Sequence, residues 1–229
     1  MQASLFKTGS SRMDAPRKRY AIRPDYRHRE TASGFDDRGN QQEFQKSVYQ
    51  FCCHYALHRG YRRIADFGCG SGFKLMSYLG GFDTTGFELE PSLSCVKECY
   101  PDRKWCAADL ETIDFSEFDL VVVADVIEHL ADPDDLMSAL ARGRPASIVF
   151  STPAREILIE QNRSAPCGPP RNPSHFREWT TREFAEYVGT FFEISGHVVI
   201  NPAQATQLVL VDPEKSRKDG GADNWLLYG

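Results

Sequence analysis

Asp66, Glu88 and Asp125 each end a short strand-like run, and the first is followed by a loop of alternating glycines, Gly68, Gly70 and Gly72. Glycines let a backbone take angles closed to other residues and let a ligand come close. Past the loop, Phe73 to Leu79 reads as a helix, and a helix N-terminus presents unpaired N–H groups. Ligands of open parallel sheets sit outside the carboxyl ends of the strands. Glu88 lies sixteen residues beyond Gly72, near where an acidic residue reaches a ribose. Asp109, after a weaker strand, could accept from the exocyclic amine of adenine. The set reads as a nucleotide-type cofactor site.

Positioning these groups takes alternating strands and helices. Seven segments read as strands: Ile64–Asp66, Thr84–Glu88, Arg103–Cys106, Asp119–Asp125, Ser147–Thr152, Glu193–Ile200 and Gln207–Val211. Val121, Val122 and Val123 run without polar alternation, as in a central parallel strand buried on both faces. A helix is expected over Gln41–Arg59, with Phe44, Val48, Phe51, Cys52 and Tyr55 on its apolar face and Gly60 ending it. Others open at Pro91, at Asp132-Pro133 and at Thr180, where Glu183 completes a capping box. The order predicts an α/β, Rossmann-like fold, a seven-stranded, mostly parallel sheet with helices on both faces.

The expected organisation is an N-terminal arm (1–40), one domain (41–212) holding an irregular Pro- and Gly-rich connection (153–179), and a tail (213–229). A connection that long inside a compact domain is usually functional or disordered. The arm interleaves aromatic and basic residues from Arg19 to Glu30. It reads either as a strap packed by its tyrosines or as a lid offering Arg23, Arg27 or Arg29 to an anionic substrate. The apolar end of the tail, Trp225–Tyr228, could dock on its own domain or on a neighbour's, which leaves a homodimer open.

The 27 basic and 32 acidic residues give a formal charge of −5, which argues against a nucleic-acid partner. No apolar run is long enough to span a bilayer, and the first twenty residues lack the apolar centre of a secretory signal. Seven cysteines form no CxxC pair, as expected of reduced thiols in a cytoplasmic protein. His54 and His58 stand four apart without a third ligand nearby, so ordinary surface or packing histidines are expected.

A dinucleotide-binding loop requires a third glycine where this chain has Phe73. The stretch Asp66-Phe67-Gly68-Cys69-Gly70-Ser71-Gly72 instead resembles the first motif of class I S-adenosylmethionine-dependent methyltransferases. The likeness extends to Gly86-Phe87-Glu88, to Ala108-Asp109-Leu110, to the segment Asp125-Val126-Ile127-Glu128-His129-Leu130, and to His175–Val188. It implies an antiparallel last strand and S-adenosylmethionine as cofactor, with S-adenosylhomocysteine as product. It would place Gly68, Cys69, Gly70 and Gly72 against the methionine and ribose portions. Glu88, with Leu89, would serve the ribose hydroxyls, and Asp109, with Leu110, the adenine. Asp125 would lie at the methionine end, and Asp66 would orient the loop or reach the methionine amine. The N-terminal helix and the connection at 153–179 would cover the substrate.

Methyl transfer from a sulfonium is an in-line displacement in which the protein mainly aligns the nucleophile and excludes water. A hydroxyl or amine acceptor gains from a general base. His175, in the substrate connection, is the first candidate and His129 the second; each could equally be structural. Asp125, Glu128 and His129 stand at i, i+3 and i+4 and could share a helical face. With His175 they resemble the metal set of small-RNA 2′-O-methyltransferases and of ubiquinone-pathway O-methyltransferases. Those carry Glu at the first position, however, and many metal-free relatives share the segment, so no metal is expected. By resemblance to bacterial enzymes of glycan and specialised-metabolite assembly, the expected acceptor is a hydroxyl of a small metabolite or glycan. An amine acceptor is the alternative. A non-catalytic cofactor-binding interaction domain is the alternative of another class.

Overall fold

A computed structural model describes residues 26–34 and 36–212. The arm residues Arg19–Asp25, Arg23 among them, and the tail end Trp225–Tyr228 lie outside the described residues.

Seven strands form one sheet: β1 (Arg63–Phe67), β2 (Asp83–Glu88), β3 (Lys104–Ala107), β4 (Leu120–Ala124), β5 (Ser147–Pro153), β6 (Ile194–Asn201) and β7 (Thr206–Val211). Their order is β3-β2-β1-β4-β5-β7-β6. The first five pair in parallel, while β7 runs antiparallel to both β5 and β6. All five residues of β4 are buried, as a strand covered on both faces requires.

Side chains alternate across the sheet and sort into two apolar layers. Ile64, Leu120, Val122 and Val149 pack with Val48, Cys52 and Ala56 of α1 (Lys46–Arg59) and with Leu93 and Val96 of α2 (Ser92–Cys99). Ala65, Val121, Val123, Ile148 and Phe150 pack on the other face, against Leu136, Met137 and Leu140 of α3 (Pro133–Gly143). A short helix α4 (Arg155–Glu160) follows β5, and α5 (Thr181–Val188) adds Phe184 and Val188 to the second layer.

The local start and stop signals act as sequence chemistry dictates. Thr180 and Glu183 form both halves of a capping box. Asp132 caps α3 by accepting from the Asp134 N–H, and Gly60 ends α1 with φ 67°. Three departures occur. Helix α1 starts at Lys46 rather than Gln41, because Gln45 takes a left-handed conformation (φ 64°); Phe44 falls before it and is 50% exposed. The connection at 153–179 is not wholly irregular, since α4 occupies its start. The segment after the glycine loop ends in a π-helical turn, Leu75–Leu79.

Candidate active site

The chain leaves β1 toward β2 and β3 on one side, and β4 and β5 lie on the other. The carboxyl ends of β1 and β4 therefore part, and a crevice at such a switch point is where open α/β sheets take ligands. A cavity of 1420 Å³ opens there. Its wall includes Gly68, Cys69, Gly70, Glu88, Leu89, Leu110 and Asp125. Glu128, His129, Asn172, Ser174 and His175 line it as well. Asp66, Gly72 and Asp109 lie outside the wall. Asp66 is fully buried beneath the loop, and Gly72 faces Val96 and Trp105. Asp109 turns back to accept from the N–H of Glu111 at 3.0 Å.

The loop geometry depends on missing side chains. Gly68 has φ 77°, and a Cβ there would stand 2.5 Å from Val126 Cγ2. Gly70 has φ 55°, and a Cβ there would collide with the carboxylate of Asp37. Glu88 holds the loop from β2: its carboxylate accepts from the N–H groups of Gly70 and Leu89, both at 2.7 Å. Burial raises the Glu88 pKa, and these two hydrogen bonds oppose the rise. Asp66 accepts from the hydroxyl of Tyr49 at 2.9 Å, while its other oxygen has no partner. Burial pushes its pKa up to about 7.

Asp125 does not share a helical face with Glu128 and His129. It takes φ 52° and accepts from the Ser151 hydroxyl at 2.7 Å, so the short 3₁₀ turn Ile127–His129 begins only after it. Glu128, His129 and His175 do converge: one donor atom from each lies within 4.8 Å of the other two. Each imidazole is oriented through its Nδ1, which donates at 2.9 Å to the Ser174 carbonyl from His129 and to Glu178 from His175. Asn172 Nδ2 donates to His175 Nε2 at 2.9 Å. Burial, then His175, lowers the His129 pKa to about 4. Glu128 accepts from Thr152 at 3.0 Å and keeps one buried oxygen without a partner. Burial, then Asp125, raises its pKa.

Residues 32–34 and 36–40 line one flank of this cavity. The N–H groups of Arg27, Arg29 and Ser33 donate to the carbonyls of Gly168, Phe176 and Pro173 at 3.2, 2.6 and 2.9 Å. Arg29, a candidate for binding an anionic substrate, instead donates its side chain to the carbonyls of Pro170 and His175. The loop it crosses leaves those carbonyls without strand partners, and the guanidinium fills that need. Further along, Asp37 accepts from the Ser71 N–H at 3.2 Å and the Asn40 carbonyl from the Ser71 hydroxyl at 2.6 Å.

Four wall or support residues escaped the sequence reading: Asp37, Gln45, Tyr49 and Lys74. Only Lys74 carried a signal, a charge among Phe73, Leu75 and Met76.

A switch-point cavity, a three-glycine loop and an antiparallel β7 beside β5 define a Rossmann-like methyltransferase domain. Residues 24–195 match the family described as the methyltransferase domain, and the chain belongs to that family, the class I S-adenosylmethionine-dependent methyltransferases. Three solved structures show the same fold. The methyltransferase domain of bacterial CtHen1 superposes with TM-score 0.60 at 22% identity, covering 76% of this chain and 100% of that one. The PH0226 protein of Pyrococcus horikoshii OT3 gives 0.59 at 16%, covering 78% and 96%. The magnesium protoporphyrin IX methyltransferase of Synechocystis PCC 6803, with bound SAH, gives 0.56 at 13%, covering 73% and 83%. No curated protein matches. No helix among the described residues is long and apolar enough to cross a membrane.

Proposed function

We propose that this methyltransferase transfers the methyl group of S-adenosylmethionine to a hydroxyl of a small metabolite or glycan, without a nucleic-acid partner. The observation that carries the reading is the pairing of His129 and His175 in the cavity that also holds the glycine loop. At 1420 Å³, that cavity exceeds the roughly 300–1,000 Å³ of an ordinary ligand pocket, leaving room for cofactor and acceptor together. In the reaction the acceptor oxygen forms a bond to the methyl carbon, the C–S bond breaks, and the sulfur keeps the electron pair. The acceptor proton passes to an imidazole. His129, with its pKa lowered to about 4, is neutral at pH 7. His175 accepts at Nε2 once Asn172 gives way to the acceptor.

A second reading adds a divalent ion. The residues present fit one. Two imidazoles and a carboxylate converge, each ring is aimed by an oxygen on its far nitrogen, and Glu128 keeps a buried oxygen without a partner. This is the outer-shell arrangement of metal-ligating histidines. Such an ion, when bound by Glu128, His129 and His175, would lower the pKa of an acceptor hydroxyl.

The decisive experiment screens hydroxyl and amine acceptors with labelled methyl donor, followed by mass analysis of the product. A methylated hydroxyl supports the proposal, a methylated amine replaces it with N-methylation, and transfer to RNA overturns the exclusion of nucleic acid. Absence of thermal stabilisation by either S-adenosylmethionine or S-adenosylhomocysteine would remove the cofactor. Calorimetric titration with Mn²⁺ separates the two readings: stoichiometric binding abolished by His129→Ala selects the metal-bearing one.

A further inference from the structure

The cavity runs along the sheet from one side of the crevice to the other. Glu88 of β2 lines one end, and Pro153 of β5 with Thr206 of β7, paired across those strands, lines the other. Neighbouring strands lie about 4.8 Å apart, so β7 stands roughly 10 Å, two steps, from β4. The turn that follows β4 carries Glu128 and His129. An acceptor whose hydroxyl meets the histidines therefore has room to extend toward β7.

A guanidinium is held at that far end. Arg163 lines the cavity and is exposed. Gln161 donates to the carbonyls of Pro202 and Ala203 at 2.8 and 3.4 Å, on the turn between β6 and β7. The same amide accepts from Arg163 at 2.9 Å, using one of the guanidinium's N–H donors and leaving the rest of the fork open. Ser164, the next residue, donates its hydroxyl at 2.7 Å to Glu178, whose carboxylate also accepts from His175. One run of contacts thus relates Arg163 to the His175 ring. Arg171 brings a second positive charge to the residue before Arg163, donating to the carbonyl and Oδ1 of Asn162 at 2.8 and 3.2 Å.

Among the described residues neither guanidinium pairs with a carboxylate. The other Arg and Lys side chains of the wall are placed differently: Arg38 is paired with Asp36, and Lys74 follows the glycine loop. Two cations brought to one stretch of backbone repel, and a bound anion relieves that repulsion. An arginine serving only as solvated surface has no need of the Gln161 contact that aims it. We propose that Arg163, supported by Arg171, binds an anionic group of the acceptor, a phosphate or a carboxylate, on the order of 10 Å from the hydroxyl that is methylated. The inference deepens, and rests on, the transfer to a small metabolite or glycan proposed above.

Titration of ¹⁵N-labelled protein with inorganic phosphate and with acetate, followed on the arginine Nε–H signals, tests the site without any acceptor. The Arg163 signal, assigned by its absence from Arg163→Gln, should shift saturably, and the tighter of the two probes identifies the anion. Arg171→Gln should weaken that binding by roughly two- to fivefold. With the acceptor found by methyl-transfer screening, Arg163→Gln should raise KM by roughly 10-fold, more than it lowers kcat, and Arg163→Lys should recover part of the loss. An Arg163 signal that does not respond, or a response shared equally by the exposed Arg182, would overturn the assignment, as would an uncharged acceptor. A single-stranded RNA oligonucleotide that binds through Arg163 more tightly than glucose 6-phosphate would replace the small acceptor with nucleic acid. Methylation of an amine on an anionic acceptor would overturn the hydroxyl reading and leave the role of Arg163 standing.

Discussion

The imidazoles of His129 and His175 meet edge to face, with ring centroids 4.8 Å apart and planes at 82°. The Ser174 carbonyl that accepts from His129 immediately precedes His175 in the chain. One loop therefore aims both rings. Glu178 ties the same loop to the strap, since its carboxylate accepts from His175, from Ser164 and from the hydroxyl of Tyr26.

Removing His175 should separate turnover from cofactor binding. His175→Ala is expected to lower kcat by roughly 100-fold or more, the lower end of the range for general acid–base catalysis. Its affinity for S-adenosylhomocysteine should stay within a few-fold of wild type. Calorimetry beside single-turnover rates checks both, and equal loss of the two would place His175 in the cofactor site instead.

Glu88→Ala should do the reverse. Its carboxylate organises the Gly70 and Leu89 N–H groups and faces the cavity. Cofactor affinity should fall by roughly 10- to 100-fold, the cost of losing charge-assisted hydrogen bonds. Turnover at saturating cofactor should recover much of its value.

Asp66 predicts a pH dependence of stability. Its folded pKa, about 7, lies above the ordinary 3.8 because burial disfavours the charge. A raised pKa means stability that is present at low pH and lost as pH rises through the folded value. Asp66→Asn has no such loss. The Tm difference between variant and wild type, measured without cofactor, should therefore move in the variant's favour between about pH 4 and about pH 8. A pH-independent difference would show that Asp66 does not titrate in this window.

The strap can be loosened at Tyr26, whose ring lies 3.7 Å beneath the buried guanidinium of Arg155. That guanidinium also pairs with Glu183 at 3.6 Å. Tyr26→Phe removes a 3.3 Å hydrogen bond and should cost about 1 kcal/mol. Tyr26→Ala removes the ring as well and should cost about 3–5 kcal/mol. Urea unfolding measures both, and similar small losses would mean that the strap contributes little to stability.

The glycine loop, the valine run of β4, the capping box at Thr180 and the acidic end of β2 could all be read along the chain. Each rests on contacts within a few residues: backbone freedom, the two-residue strand period, a cap and its third neighbour. They determined the fold class and the kind of cofactor. Tertiary structure decided the rest. Asp125 left the face of Glu128 because Ser151, on the neighbouring strand, captures its carboxylate. Arg29 turned from substrate to loop because unpaired carbonyls lay across its path. His129 met His175, and Lys74 came under the influence of Asp66 and Asp125, only once the strands had aligned. Sequence patterns record local geometry, whereas a side chain's partner depends on where distant segments of backbone are packed.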